Sequence, residues 1–173
     1  RIVASTQADS SALVLEGEAE EGETPNAVVV QEEKEISIQT PSEITVVLPS
    51  IFQNETVYVK HEARSGKVYY YHGNADETGE LTFTSYHGFS PFTFSLENGA
   101  AAEIDDIGYE SLQQAVDDVQ EDGFIVAKKS DSASVSKSVS FTVLTENDAV
   151  ASISAGRGYK MTTVENEDGS VTY

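Results

Sequence analysis

The sequence contains no cysteine and few cationic residues, with 10 Lys and Arg against 30 Asp and Glu. The lack of cysteine excludes disulfides, thiolate metal sites and a cysteine nucleophile, so packing alone must stabilise the fold. The formal net charge is −20, and both halves of the chain carry an acidic excess. Such a surface repels phosphate backbones, anionic lipid and other copies of itself, so we expect no nucleic-acid partner and a monomer.

Long hydrophobic runs are also missing. No apolar run approaches the roughly 18 residues that a membrane-spanning helix needs, so no membrane insertion is expected. The first residues lack a charged-then-apolar signal pattern, and the chain starts at Arg1 rather than at Met. We therefore expect it to be a piece of a longer polypeptide, with any export signal or anchor outside it.

The clearest pattern is the aromatic stretch 81–94, in which apolar residues alternate with Thr and Ser on both sides of a break at Gly88 and Pro91. A period of two indicates a strand with one buried face, and the break indicates a corner between two strands. Similar β-rich stretches precede it, and Ser65-Gly66 is a plausible hairpin turn. The pattern predicts a mainly β fold that begins with an antiparallel β-sandwich over residues 1–98. The other expected strands are 12–16 (at an edge), 27–30, 35–39, 43–48, 54–61 and 67–72.

After residue 102 the period changes. Tyr109, Leu112, Val116 and Val119 form the stripe of one helical face, which predicts a single helix over 109–120. Ser111 with Gln114 resembles a capping box, and Gly123 is expected at the C′ position. Residues 103–173 are thus predicted to form a small α+β module or a partial β-solenoid. Its expected strands are 124–127, 135–143 and 149–154, with a closing hairpin of 159–164 and 171–173 around Asp168-Gly169.

An acidic segment lies at residues 16–26 and holds five glutamates between positions 16 and 23. Calcium loops usually carry Asp or Asn at alternate positions around a turning Gly, whereas every acid here is Glu. We therefore interpret the segment as a solvated loop.

Two resemblances cover most of residues 43–173. Ile44-Thr-Val-Val-Leu-Pro49, with the stretch 81–94, resembles β-sandwich modules of secreted or wall-anchored bacterial surface proteins, which end in a TFTT-x-HFSPF-like segment. Ile107-Gly-Tyr-Glu-Ser-Leu-Gln-Gln-Ala-Val116 is similar to the Y-x-S-L-x-x-A helix-strand unit of β-solenoid-like repeats in the same class. The resemblance implies extracellular or cell-surface display, with a spacer or adhesive role and no enzymatic activity.

One chemical hypothesis concerns His87-Gly-Phe-Ser90, which resembles the cleavage point of self-cleaving ZU5-like sandwiches. In those domains a Ser hydroxyl attacks the preceding carbonyl while a base takes its proton, so cleavage here would fall at Phe89-Ser90. The chain departs from that pattern through the inserted Gly88 and through Pro91. The insertion shifts the face on which the imidazole lies relative to the hydroxyl, which weakens the hypothesis.

A second hypothesis is an aromatic platform for sugar rings, formed by Tyr70, His72, Tyr86 and His87. About half of the rings on a strand must point into the core, and Trp, the strongest stacking residue, is absent. His61, His72 and His87 match no compact zinc spacing, so we expect no metal site and no cofactor.

The sequence as a whole favours a non-catalytic structural or adhesive module of a larger bacterial cell-surface or secreted protein. Its expected partners are neighbouring modules of the parent protein, with a host or cell-wall glycan or protein as a further partner. The alternative is a glycan-binding accessory module of a secreted carbohydrate-active enzyme, and the weaker alternative is the self-cleaving sandwich.

Overall fold

The computed structural model describes residues 41–173 in full and, before them, the backbone of three strands. The chain divides into two compact units, Arg1–Gly99 and Ala100–Tyr173; the sequence placed the boundary between residues 98 and 103. The described part is mainly β and contains one α-helix, as predicted. The acidic segment 16–26 and the expected strand at 35–39 lie outside the described residues.

The first unit consists of two antiparallel ladders. The orders of the paired strands are β2-β1-β4-β7 and β6-β5-β8-β3. A short 3-10 turn, Ser50–Phe52, connects β4 to β5. The strands are β1 Ile2–Thr6, β2 Asp9–Leu15, β3 Ala27–Val30, β4 Ser42–Val47, β5 Thr56–Glu62, β6 Val68–Asn74, β7 Glu80–Ser85 and β8 Phe92–Ser95.

The core of this unit lies where β7 meets the inward face of β6 and β8. Phe83 of β7 packs edge-on against Phe92 and Phe94 of β8, with ring centroids 5.4 and 6.2 Å apart, and stacks on Tyr71 of β6. Edge-to-face pairs stabilise a core beyond the area that they bury. The alternation over 81–94 therefore predicted the buried face, and the break between β7 and β8 spans residues 86–91.

The second unit contains two parallel pairs, β11 with β13 and β12 with β14, each stacked in register. Two successive coils of chain thus lie one above the other, as in a solenoid, and the antiparallel hairpin β15–β16 covers β13. The paired orders are β15-β16-β13-β11-β9-β10 and β12-β14. The elements are β9 Ala102–Ile104, β10 Ile107–Tyr109, α1 Leu112–Asp118, β11 Gly123–Ala127, β12 Asp131–Val135, β13 Phe141–Thr145, β14 Ala151–Ala155, β15 Val164–Glu165 and β16 Val171–Thr172.

Helix α1 has the Ser111 cap that the sequence predicted, but it is shorter than 109–120 at both ends, because Tyr109 lies on β10 and the helix ends at Asp118. The Ser111 hydroxyl accepts from the Gln114 N–H at 3.1 Å, which satisfies a donor in the first turn. The expected C′ glycine was wrong, because the C-cap of the helix is Val119 and Gly123 starts β11. Lys137 instead donates to the carbonyls of Asp117 and Val119, at 2.8 and 2.6 Å, and so caps the helix C-terminus with a positive charge.

Two strand predictions in this unit were wrong in extent. The expected strand 135–143 is interrupted, since β12 ends at Val135 and β13 starts at Phe141. The closing hairpin is present around Gly169, but its first strand is only Val164–Glu165. In both places period-two alternation continues through residues that lie in no strand, where it carries no information about pairing.

Glycine is required at the turn between β6 and β7. Gly79 has φ 83°, and a Cβ there would lie 2.4 Å from the backbone oxygen of Leu48. Gly66, in the turn between β5 and β6, has the same φ, but a Cβ there would have nothing within 4 Å. The two positions share their backbone strain and differ in steric space.

We predict that Gly66→Ala lowers the free energy of unfolding by about 1 kcal/mol, the cost of a left-handed non-glycine residue. Gly79→Ala should cost roughly 2 kcal/mol more, because the Leu48 carbonyl cannot move without disturbing β4. Urea denaturation of both variants measures the difference. Equal losses at the two positions would contradict the steric account.

Candidate functional site

The residues with the most chemical potential meet at one end of the first unit. His61 lies on β5, Tyr71 lies on β6, and His87 and Ser90 come from the connection between β7 and β8. His61 is fully buried and points inward together with Val57 and Val59. The alternation of β5 and β6 places the imidazole and the phenol on the same face.

These four side chains form a continuous chain of hydrogen bonds. The His61 Nε2 atom is 2.6 Å from the Ser90 hydroxyl, and its Nδ1 atom is 3.3 Å from the Tyr71 hydroxyl. The Tyr71 hydroxyl is in turn 2.9 Å from His87 Nδ1. At the other end Ser90 donates to the backbone carbonyl of Glu62 at 2.6 Å. The series of hydrogen bonds therefore runs from His87 through Tyr71, His61 and Ser90 to the backbone of β5.

Proton counting assigns the direction of these bonds. A carbonyl oxygen can only accept, so the Ser90 proton is committed to Glu62 and the Ser90 oxygen accepts from His61 Nε2–H. Neutral His61 then has Nδ1 as an acceptor, which the Tyr71 hydroxyl fills, and His87 Nδ1–H donates to the Tyr71 oxygen. Each proton is used once, and each of these atoms has a partner.

The assignment decides what the pair can do chemically. A Ser nucleophile needs a base nitrogen free to take its proton, whereas His61 Nε2 already carries one. The opposite tautomer would place two acceptors, Ser90 Oγ and the Glu62 carbonyl, 2.6 Å apart with no proton between them. In this geometry Ser90 and His61 hold the strands together rather than forming an active dyad.

His87, the imidazole in the self-cleavage hypothesis, forms a hydrogen bond through Nδ1 with the Tyr71 hydroxyl. Its ring stacks on Tyr69, with centroids 3.4 Å apart and planes within 1°. The histidine next to Ser90 is His61, 29 positions earlier in the sequence. Cleavage at Phe89-Ser90 itself stays a prediction.

Burial controls the electrostatics of the network. Loss of solvent and, to a smaller extent, the nearby His87 lower the pKa of His61 from 6.5 to about 4. Burial likewise raises the pKa of Tyr71, although the nearby Ser85 hydroxyl and the backbone N–H groups of Tyr86 and His87 oppose that shift. Both groups are therefore neutral at pH 7, as the proton assignment requires.

The four residues of the expected aromatic platform lie on two faces of the β5–β6 ladder. Tyr70 and His72 point away from the core, since they alternate with the buried Tyr69 and Tyr71. His87 lies on the inner side, against Tyr69, and Tyr86 packs beside Tyr71 with 50% of its surface exposed. The structure thus brings together two pairs rather than one platform, and sugar binding by either stays a prediction.

The described residues contain no group of three or more His, Asp or Glu placed to hold a metal ion. Tyr71 separates His61 from His87, and His72 lies on the opposite face. In the same part of the chain, no helix has the length and apolar character needed to cross a bilayer.

The second unit has two open grooves, of about 540 and 740 Å³, which share Met161 and Tyr173 as lining residues. The smaller is lined by Lys137 and Lys160, but Lys137 is already bonded to the helix carbonyls. The larger is lined by serines of β12 and β14. Neither groove contains a buried charged or nucleophilic side chain.

Comparison with known proteins gives no relative: no protein-family model, no curated protein and no solved structure matches the chain. Function must therefore be argued from the geometry.

Sequence reasoning found Ser90 and His87 but missed the role of His61 and Tyr71. The sequence contains a signal for His61, because His61 lies two and four residues after Val59 and Val57 on β5. Alternate residues share a face of a strand, so His61 belongs to the buried face. Its contact with Ser90 depends on the pairing of β5 with β8, which places His61 opposite Phe92. No local pattern encodes that pairing.

The lowered pKa of His61 predicts acid sensitivity. The folded protein takes up the His61 proton only near pH 4, whereas the unfolded chain takes it up near 6.5. Stability from this group is therefore fully present above pH 6.5 and falls as the pH drops toward 4, by about 3 kcal/mol. Urea denaturation between pH 7 and pH 4 measures the loss.

The matched variant is His61→Gln, whose amide can donate to Ser90 and accept from Tyr71 without titrating. We expect its unfolding free energy to fall less between pH 7 and 4 than that of the wild type, and that of His72→Gln, an exposed control, to fall equally. An unchanged pH dependence in His61→Gln would show that buried His61 is not the titrating group.

Proposed function

We propose that this protein is a non-catalytic structural or adhesive module of a larger bacterial cell-surface or secreted protein. The observation that carries the proposal is the continuous series of hydrogen bonds, in which proton counting assigns a proton to the His61 nitrogen that faces Ser90. The residues best suited to chemistry thus serve to fix β5, β6 and the 86–91 connection to one another. The resemblance of stretch 81–94 to surface-protein modules supports the same role.

A spacer must keep its shape without disulfides, and the network meets that requirement. It joins the backbone of β5 to the corner between β7 and β8, where the sandwich would otherwise have a loose connection. Ser85 adds a second tie within the corner by donating to the Gly88 carbonyl at 2.7 Å. Satisfied buried polar groups specify one arrangement, since any shift leaves donors unpaired.

The charge of the chain fits display outside the cell among neighbouring modules. A net charge of −20 keeps an exposed protein soluble and repels nucleic acid and anionic membrane. The proposed partners are neighbouring modules of the parent protein and a host or cell-wall glycan or protein.

The proposal predicts that Ser90→Ala lowers the unfolding free energy by about 2 kcal/mol, because it leaves the His61 Nε2–H and the Glu62 carbonyl unpaired. It also predicts that wild-type Ser90 does not react with a fluorophosphonate probe and that the chain keeps its intact mass of 18.6 kDa on long incubation. Urea denaturation and mass spectrometry measure these outcomes.

Ser65→Ala, in an exposed turn of the same unit, is the control and should cost little. Labelling of Ser90 that disappears in His61→Gln would contradict the proposal and favour an active dyad. Fragments that begin at Ser90 would favour the self-cleaving sandwich instead.

A second candidate is a glycan-binding accessory module of a secreted carbohydrate-active enzyme. The half-exposed ring of Tyr86, beside the half-buried His87, is the observation that favours it. Aromatic faces of this kind can stack on sugar rings.

This candidate predicts glycan-array binding that is lost in Tyr86→Ala and retained in Tyr70→Ala, because the two rings lie on different faces of the ladder. Loss in Tyr70→Ala alone would move the site to the outer face. If the wild type binds no glycan on the array, the glycan-binding candidate fails and the structural role is favoured.

A further inference from the structure

The two parallel ladders of the second unit end differently. In the first ladder, the outer strand β13 is covered by β16, which pairs with it antiparallel. In the second, β12 has its far edge closed by Gln113, whose side-chain oxygen accepts from Ser134 N–H at 2.8 Å and whose amide nitrogen donates to Ser134 O at 3.1 Å. Strand β14 pairs with β12 alone within residues 41–173. Among residues 41–173, the outer edge of β14 is therefore left open.

The backbone groups on this edge can be identified. The Val150 carbonyl accepts from Asp131, and Gly156 N–H donates to the Val135 carbonyl, so the even-numbered residues of this stretch face β12. Consecutive residues of a strand alternate, and the N–H and C=O groups of Ala151, Ile153 and Ala155 therefore face outward. Three donors and three acceptors stand in one row, as an incoming strand requires.

Nothing in the local sequence protects this edge. Residues 149–156 carry no charge and no proline, the usual means of blocking edge pairing. Val150 is 61% exposed, and a groove of about 740 Å³ adjoins the strand, lined by Ile153, Met161 and Glu165 among others. Space and unpaired backbone groups thus occur together.

The charges that flank β14 favour one occupant. Glu146 and Asp148 precede the strand, and Arg157 and Lys160 follow it, with all four exposed. Glu146 also forms an ion pair with Lys128 at 3.3 Å. Among the described residues, no ion pair includes Asp148, Arg157 or Lys160. The edge is neutral in the middle, acidic at one end and basic at the other. An antiparallel copy of the same edge would place each acidic end beside a basic end.

From this pattern we propose that β14 is a self-association edge, at which two copies of this chain pair antiparallel about a twofold axis. The axis passes through Ile153, so Ile153 exchanges both backbone hydrogen bonds with its counterpart. Ala151 pairs with Ala155 of the second copy, and all three outward-facing residues are satisfied. The ends then bring Glu146 and Asp148 of one copy toward Arg157 and Lys160 of the other.

This pairing goes beyond the proposed function and departs from the monomer that the net charge predicted. At physiological salt, charges more than about 8 Å apart are largely screened, so the groups at the edge outweigh the −20 total. Glu165, which lines the groove, is the local charge that opposes association. The self-complementary arrangement at the strand ends offsets it.

Sedimentation of the full chain tests the proposal. We expect the wild type to reach twice its 18.6 kDa mass at concentrations up to on the order of 100 µM. The double variants E146K/D148K and R157E/K160E should each associate at least about tenfold more weakly, because each places like charges at both contacts. An equimolar mixture of the two should restore the dimer, since every end contact is then complementary.

Two further variants distinguish the effect of the β14 edge on association from the effect of the total charge. Ala155→Pro removes an outward N–H without touching the ladder to β12, and should leave a monomer. E77K/E80K makes the same charge change as E146K/D148K in the first unit and should dimerise like the wild type. A variant is compared with the wild type only if the two proteins have the same unfolding transition. A monomeric wild type, an Ala155→Pro dimer, or a mixture that stays monomeric would each overturn the proposal.

Discussion

Ser90 accepts a hydrogen bond from His61 Nε2–H and donates one to the Glu62 carbonyl, and the arrangement of the sandwich end depends on this pair of 2.6 Å bonds. A fully buried imidazole costs several kilocalories per mole unless its nitrogens are paired, so His61 is tolerated only where Tyr71 and Ser90 meet it. That requirement fixes the distance of the 86–91 connection from β5. Phe92 packs against the imidazole, with ring centroids 4.7 Å apart, and Phe83 packs edge-on against Phe92, so the imidazole lies within the aromatic core.

The second unit meets the same constraint by other means, because its strands are short and stack in parallel coils. Edge strands need partners for their backbone groups, and we find or propose three different ones: the β16 strand on β13, the Gln113 amide on β12, and a second copy on β14. Lys137 does the same for the last carbonyls of α1. Side chains thus complete what a short β unit leaves unpaired.

Local pattern predicted much of this fold and little of the site. The alternation at 81–94, the Ser111 cap and the Asp168-Gly169 turn each depend on neighbouring residues, so the sequence carries them directly. The break between β12 and β13 was missed, because alternation continues through residues 136–140. The His61–Ser90 contact joins residues 29 positions apart and exists only once β5 pairs with β8. The alternation along β5 predicts that His61 faces the core, but it does not predict the contact with Ser90.

The assignment of roles within the network follows from one asymmetry between acceptors. An imidazole nitrogen can carry a proton and donate a hydrogen bond, or lack a proton and accept one, whereas a backbone carbonyl can only accept. The Glu62 carbonyl therefore fixes the donor and acceptor roles along the whole series, which consists of Ser90, His61, Tyr71 and His87. In a hydrolytic site the serine proton faces the base, and the carbonyl near the nucleophile belongs to the substrate. Here the carbonyl belongs to β5 itself. The same residue types that make a nucleophile elsewhere therefore make a structural tie, and the difference lies in which acceptor the strand pairing places against Ser90.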